Sequence, residues 1–216
     1  MVLVDDDGGL GREPPVRGYC VIPAAGRSSR MGDWKPLLPW GRSTICGAVA
    51  DAALAAGLRP VVVAGYRAGE LAAAFSGRPE VTVVVNRDWE RGMLGSVRVG
   101  ATLPLSRGMG FFVAPADMPR LPTEAFERAL SELDRLGREG VGPRILFASR
   151  AGRLGHPVWI PAEVASGLGA LDPGLRLRDH LLGLPWSAVE ADDDGIFEDL
   201  DTPEEYRAAA ARILTE

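Results

Sequence analysis

The chain has 216 residues, of which 46% are apolar and 25% charged, and its 24 basic and 29 acidic side chains leave a formal charge of -5. That is the composition of one medium globular domain able to bury its own core without a disulfide or metal staple. It excludes the one-sided basic face of a nucleic-acid binder, and no segment reaches the roughly 18 uninterrupted apolar residues of a membrane span.

Residues 1–17 are rich in Gly, Asp, Pro and Arg and lack apolar periodicity after the first four, so they read as a mobile tail. Their acidic start is unlike that of a secretory signal. The domain is expected over residues 18–216. Continuous Val, Ile, Phe and Ala runs at Tyr19–Ala24, Pro60–Gly65, Val81–Val85 and Gly110–Pro115, with a fifth at Ile145–Ser149, read as strands covered on both faces. Between them, Thr44–Ala56, Ala68–Phe75, Leu94–Leu103 and Thr123–Arg138 space apolar residues three and four apart, as helices do, with Thr123 placed to cap the last. Beyond Arg150 the pattern loosens: a short strand at Pro157–Ile160, helical pieces near Ala162 and Leu175, and β-like stretches at Trp186–Glu190 and Gly195–Glu198. Thr202-Pro203-Glu204-Glu205 then sets a cap, a Pro at the first helical position and a capping-box Glu in register for a final helix. Alternating strands and helices predict an α/β fold: a mostly parallel sheet between helical layers, as a single domain. Cys20 and Cys46 are the only cysteines, too few for a disulfide framework or a Cys-based zinc site, and a cytoplasmic location is the expectation.

In such sheets ligands bind beyond the carboxyl ends of the strands, so the turn after the first strand is the place to look. It reads PAAGRSSRMGDWKP over residues 23–36: small residues admit an anion to the backbone N–H groups, while Arg27, Arg30 and Lys35 supply charge. A phosphate-bearing ligand is expected, with one of the two arginines as its partner. The turn carries neither the G-x-G-x-x-G of a dinucleotide fold nor the G-K-[ST] of a Walker loop. Lys35 is the single lysine among 24 basic residues; a compact ammonium suits a site where a planar guanidinium does not fit between phosphate oxygens, although a surface lysine in an arginine-rich protein is the plain alternative.

PAAGRSSRMGDWKPLLPWG resembles the signature loop of the nucleotidyltransferases that act on molybdenum cofactor, in particular the cytidylyltransferases among them. NRDWERGMLGSVRVG at 86–100, APADMPRL at 114–121, GHPV at 155–158 and EDLDTPEEY at 198–206 resemble that family's later motifs in order, so the likeness runs from residue 18 to the end. It implies a Rossmann-like three-layer α/β/α nucleotidyltransferase fold, dependence on Mg²⁺, and transfer of a nucleoside monophosphate from a nucleoside triphosphate to a phosphorylated small molecule with loss of pyrophosphate. The sequence departs from the usual pattern in two places: Arg27 stands where an aliphatic residue is customary, and Ala116 where Gly is.

The resemblance sorts the remaining candidates. Asp117, after the apolar run 111–113, is expected at the sheet's carboxyl edge as a hard oxygen ligand for Mg²⁺, with capping of its own turn as the alternative. Asp199 or Asp201 supplies a second carboxylate, the family favouring the earlier, while either also suits the positive N-terminus of the last helix. Lys35, Arg30 and Asp117 are the expected catalytic groups. Ala24, Ala25 and Gly26 resemble the backbone wall laid against the base, with Gly92 and Ser96 facing it from a helix start and Arg27 counted with the nucleotide's contacts. Guanine-using relatives usually carry two glycines where this loop has Ala25-Gly26, so CTP is favoured over GTP. Asn86 either bonds the ribose or ends its strand. His156 is assigned to the acceptor side, against a pterin or its phosphate but not as a base, because an acceptor phosphate has no proton to lose; otherwise it is a turn residue. His180 and the tryptophans Trp34, Trp40 and Trp89 are read as structural.

The leading expectation is a cytoplasmic, Mg²⁺-dependent transfer of CMP from CTP to molybdopterin, with a molybdoenzyme or its chaperone as a possible partner and neither nucleic acid nor membrane involved. Alternatives keep the chemistry with a sugar phosphate or methylerythritol phosphate as acceptor, or use GTP. A non-enzymatic alternative is a cofactor-binding chaperone of a molybdoenzyme, against which the retained Lys35, Asp117 and Asp199/Asp201 charges argue.

Overall fold

The structure, a computed structural model, describes residues 16–29, 31–172 and 174–213. In chain order its elements are β1 (Gly18–Pro23), β2 (Pro39–Trp40), β3 (Ser43–Thr44), α1 (Ile45–Ala55), β4 (Leu58–Ala64), α2 (Ala68–Ala74), β5 (Thr82–Val85), α3 (Met93–Ser106), β6 (Phe111–Val113), α4 (Thr123–Arg138), β7 (Ile145–Arg150), β8 (Arg153–Ile160), α5 (Ala162–Gly167), α6 (Leu177–Leu182), β9 (Trp186–Glu190) and α7 (Pro203–Ile213).

Seven strands form one sheet in the order β5-β4-β1-β6-β8-β7-β9. Every neighbouring pair is parallel except those of β8, which runs antiparallel to both β6 and β7. The period of two within the strands divides the core. Cys20 and Ile22 of β1, Val62 of β4 and Phe112 of β6 join Val49 and Ala53 of α1, Leu71 of α2 and Phe126 of α4 on one face. Tyr19, Val21, Val61, Val63 and Phe111 join Leu94, Val97 and Ala101 of α3, Ala165 of α5 and Leu181 of α6 on the other. The continuous apolar runs are thus explained: both faces are covered, in three layers and a single domain. Helix α3 approaches so closely that a Cβ on Gly100 would lie 2.4 Å from Val21 Cγ1 and 2.8 Å from Val63 Cγ2.

Four readings of the sequence are revised. Residues 1–15 lie outside the described residues, but Val16 packs against the second core cluster and the Arg17 N–H donates to Gly57 O at 3.2 Å, so these two belong to the domain. Pro122, not Thr123, occupies the cap position of α4, and Thr123 is its first helical residue. The β-like stretch at residues 195–198 is a 3₁₀ turn (Asp194–Phe197) in which the Asp193 carboxylate accepts the Gly195 N–H at 2.6 Å; the local Asp-to-backbone bond outcompetes strand propensity. Gly155-His156-Pro157 lies within β8 rather than in a turn. The ladder with β6 starts only at Val158, and the ladder with β7 shifts register between Phe147 and Ser149. Pro157, which has no N–H to give, therefore sits where pairing lapses.

Candidate active site

The first turn is continuous with the sheet's hydrogen bonding. The Ala24 N–H donates to Val63 O at 2.9 Å, the Tyr66 N–H to Ala25 O at 2.9 Å and the Ala114 N–H to Val21 O at 3.1 Å. The ends of β1, β4 and β6 are thereby drawn together, and the loops that follow them meet. Ser28 takes a positive φ of 55° and its hydroxyl accepts the Lys35 N–H at 3.2 Å. Trp34 Nε1 donates to Gly26 O at 3.1 Å. These bonds tie Gly26 to Trp34 and Ser28 to Lys35, and return Lys35 to the end of β6.

There the Lys35 ammonium donates to Asp201 Oδ1 at 2.7 Å and to Asp117 Oδ2 at 3.2 Å. The Lys35 side chain is 8% exposed, against 32% for Asp117 and 25% for Asp201, so it is the most deeply buried side chain of the cluster. Asp117 leaves the sheet beyond β6, as its sequence position predicts. Asp201 arrives from the far end of the chain on a segment fixed at two points. The Leu200 N–H donates to Asp117 O at 2.9 Å, and Glu205 Oε2 accepts the Asp201 and Thr202 N–H groups, each at 2.8 Å.

Two cavities adjoin this cluster. The first, of about 320 Å³, is walled by Ala24, Ala25 and Gly26, by Ser28 and Ser29, by Lys35, and across from them by Gly92 and Ser96. Gly92 has φ 106° at the start of α3, a conformation that side chains resist, and a Cβ there would meet nothing within 4 Å. The second, of about 570 Å³, is walled by Arg153, His156, Arg178 and Asp199 among others. Asp117, Asp201, Pro115 and Met93 line both, so the two spaces share the acids of the charged cluster as a common wall, with Lys35 on the side of the first.

Ala24, Ala25, Gly26, Lys35, Gly92, Ser96, Asp117, Asp201 and His156 thus lie on cavity walls. Three expectations change. Of the Asp199/Asp201 pair it is Asp201 that joins Asp117; Asp199 is exposed and lines only the second cavity, because Leu200 between them is the residue tied to the Asp117 turn. Arg27 is on neither wall: its exposed guanidinium pairs with Glu90 at 2.9 Å and lies over the Trp89 ring, 5.0 Å from its centroid. Asn86 is also off the walls. It is 4% exposed, with Nδ2 donating to Ser96 Oγ at 3.1 Å and Oδ1 accepting the Asp88 N–H at 3.0 Å, so its amide holds Ser96. Arg30 lies outside the described residues. The sequence reading missed Trp89 and Met93 on the first wall and Arg153 and Arg178 on the second. The position of Trp89 in the loop before α3 was the available signal; nothing local marked the two arginines.

A side chain at Gly65 would fall 2.6 Å from Trp89 Cβ and 2.7 Å from Ala25 Cβ. Its absence lets those two residues close the inner wall of the first cavity. On the second, His156 Nδ1 lies 3.4 Å from Val113 O. A carbonyl only accepts, so Nδ1 carries the proton in that contact and Nε2 is left as an acceptor. Burial pushes the imidazole down to about 4, with Arg178 acting in the same direction and the Val113 contact and Asp199 opposing. His156 is therefore neutral near pH 7.

A divalent cation suits the donor set. Asp117 and Asp201 offer hard oxygens side by side, and a cationic group, the Lys35 ammonium, already lies between them. Among the described residues no third His, Cys, Asp or Glu joins them as a ligand cluster, so a bound ion would draw its other ligands from substrate and water.

A sheet of this order, with a small-residue loop after its first strand and a lysine–carboxylate cluster between two adjoining cavities, defines a nucleotidyltransferase. The chain matches the MobA-like NTP transferase domain over residues 20–185 and belongs to that family. It is 31% identical over 193 residues to the molybdenum cofactor cytidylyltransferase of Escherichia coli K12, covering 89% of this chain and 95% of that one. Rv0371c of Mycobacterium tuberculosis H37Rv, solved in complex with manganese, superposes with a TM-score of 0.70 at 27% identity, over 90% of this chain and 98% of the other. A nucleotidyl transferase from Methanothermobacter shares the fold, with a TM-score of 0.71 at 24% identity over 92% of this chain and 98% of its own. No helix among the described residues is long and apolar enough to cross a membrane.

Proposed function

We propose that the protein transfers CMP from CTP to the phosphate of molybdopterin cofactor, releasing pyrophosphate, with Mg²⁺ as its metal. The observation that carries this is the shared wall: a nucleotide-sized cavity that holds Lys35 and a larger second one meet at Asp117 and Asp201, where a phosphorus atom of one ligand can face an oxygen of the other. The family and the cytidylyltransferase relative support the donor and the acceptor, and the manganese complex of Rv0371c supports a divalent ion.

The residues divide the work. The Ala24–Gly26 backbone, Gly92 and Ser96 hold the base and sugar, with Asn86 keeping Ser96 in place. Lys35, and Arg30 from the sequence, neutralise phosphate charge as it shifts toward the leaving pyrophosphate, which is the main service a protein can offer phosphoryl-group chemistry. Asp117 and Asp201 would hold Mg²⁺, which would supply positive charge to stabilise the phosphates during transfer. Arg153 and Arg178 offer cations to the acceptor phosphate from the second cavity, and neutral His156 accepts a hydrogen bond from the acceptor's heterocycle and takes no proton.

The test is product identity. With CTP, Mg²⁺ and molybdopterin the protein should release one pyrophosphate for each cytidine dinucleotide of the cofactor, counted by mass spectrometry. Pyrophosphate release with a sugar phosphate but not with molybdopterin would replace the acceptor.

A further inference from the structure

The one lysine of the chain stands between two carboxylates, not beside one. Its ammonium is 2.7 Å from Asp201 Oδ1 and 3.2 Å from Asp117 Oδ2, and the lysine side chain as a whole is more deeply covered than that of either acid. This is where a divalent ion would have to sit to touch both carboxylates. A monovalent ammonium and a divalent ion cannot share that position, since their repulsion would act at hydrogen-bond range in a partly covered site.

The lysine main chain is fixed by hydrogen bonds of its own, independent of its ammonium. The Lys35 N–H donates to Ser28 Oγ at 3.2 Å, the Leu38 N–H donates to Lys35 O at 3.0 Å, and Pro36 follows. Four methylenes then carry a point charge whose polar partners among the described residues are the two aspartates. Ser28, Ser29 and the backbone at Gly26 line the same cavity, within which a triphosphate would offer the ammonium new oxygens. The choice of lysine in a chain with 23 arginines fits this use. A guanidinium would clamp a carboxylate through two parallel bonds in a fixed plane, whereas an ammonium on a flexible stem can change partners.

We propose that Lys35 occupies the divalent-cation position of the nucleotide-free protein, and that triphosphate draws its ammonium off Asp117 and Asp201, so that metal enters with nucleotide and not before it. This rests on the nucleotidyltransferase reading of the site and adds an order of assembly to it. The protein would keep its acidic cluster neutralised when idle and would not be loaded by free metal alone.

Two measurements on the full chain test this. The first is Mn²⁺ binding without nucleotide, followed by electron paramagnetic resonance of the free ion. Lys35→Met should bind Mn²⁺ about tenfold more tightly than wild type or better, because a cation has left the site. Adding Asp117→Asn to Lys35→Met should remove the gain. Equal or weaker binding by Lys35→Met would overturn the proposal.

The second keeps the wild-type protein, in case the variant does not fold. With ¹³Cε-lysine the chain gives one lysine side-chain resonance, because Lys35 is its only lysine. The α,β-methylene analogue of CTP in EDTA should shift that resonance, and millimolar Mg²⁺ alone should not. A shift with Mg²⁺ alone, or none with any triphosphate analogue, would overturn the proposal. A shift with the GTP analogue but not the CTP one would support it while refuting the base assigned above, so the two failures are told apart.

Discussion

Lys35 joins three segments that are remote in sequence: the first loop, the turn after β6 and the approach to α7. Replacing it with Ala leaves Asp117 and Asp201 facing each other without the ammonium between them, and removes charge from the phosphates. Turnover should fall by about a hundredfold or more, and the melting temperature should drop and be partly restored by Mg²⁺. Near wild-type turnover in a folded Lys35→Ala protein would remove Lys35 from the chemistry.

His156 predicts a pH effect. Its folded-state value near 4 lies below the ordinary value of about 6.5. Between those values the unfolded chain binds a proton that the folded chain refuses, so stability is lost as pH falls through this window. His156→Gln should flatten the dependence of melting temperature on pH there; an unchanged slope would show that the imidazole titrates normally. At this scale Lys35 and Asp117 were legible in the sequence, the first as the lone lysine in a small-residue loop and the second as the acid beyond a buried run. The choice of Asp201 over Asp199 was not, because it turns on one backbone bond from Leu200 to Asp117 O. Nor was the capture of Arg27, whose partner Glu90 is 63 positions away.

At the level of elements, α7 acts as the mount for Asp201. Thr202 Oγ1 accepts the Glu205 N–H at 3.2 Å, while the Glu205 carboxylate takes the N–H groups of Thr202 and Asp201. Those backbone bonds hold its carboxyl below the usual range, so this support is present above the unfolded value and lost as acid protonates Glu205. Thr202→Ala should cost about 1 kcal/mol of stability, the usual worth of such a cap. Glu205→Ala should lower kcat as well, since it also frees the backbone of Asp201. Unchanged kcat at full occupancy would mean that the Leu200 bond suffices to place the acid.

Helix α3 supplies the opposite wall, and Gly100 sets its distance from the sheet. Gly100→Ala drives a methyl into Val21 and Val63, and should cost about 1–3 kcal/mol in denaturant unfolding, in the range of overpacked cores. A cost below that range would mean α3 moves outward freely. The capping box was readable because its residues are adjacent in sequence. The 3₁₀ turn at residues 194–197 and the placement of His156 within β8 were not. The first is decided by an Asp that bonds its own backbone, the second by where two neighbouring strands begin to pair.

Over the whole molecule, the alternation of buried runs and helical periods disclosed the layers, since a parallel sheet covered on both faces leaves that pattern. Strand order was hidden. The reversal of β8 between β6 and β7 depends on pairings between distant segments, and it is this reversal that carries Arg153 and His156 to the end of β6. The second cavity is built there, which is why the donor side of the site was legible and the acceptor side was nearly blank.

Cytidylyl transfer requires that the donor cavity admit CTP and bring it to a phosphate acceptor at Asp117 and Asp201. Ala25 is 5% exposed, with its methyl close against Gly65 on the wall of that cavity, and a larger base must contend with it. The most direct measurement is kcat/KM for pyrophosphate release with CTP and with GTP, at saturating molybdopterin and Mg²⁺, for wild type and Ala25→Gly. CTP should be preferred by about an order of magnitude or more in the wild type, and Ala25→Gly should narrow the gap by improving GTP, as relief of a clash does. Equal use of the two triphosphates by the wild type, or a variant that loses CTP without gaining GTP, would contradict selection of cytosine by this cavity.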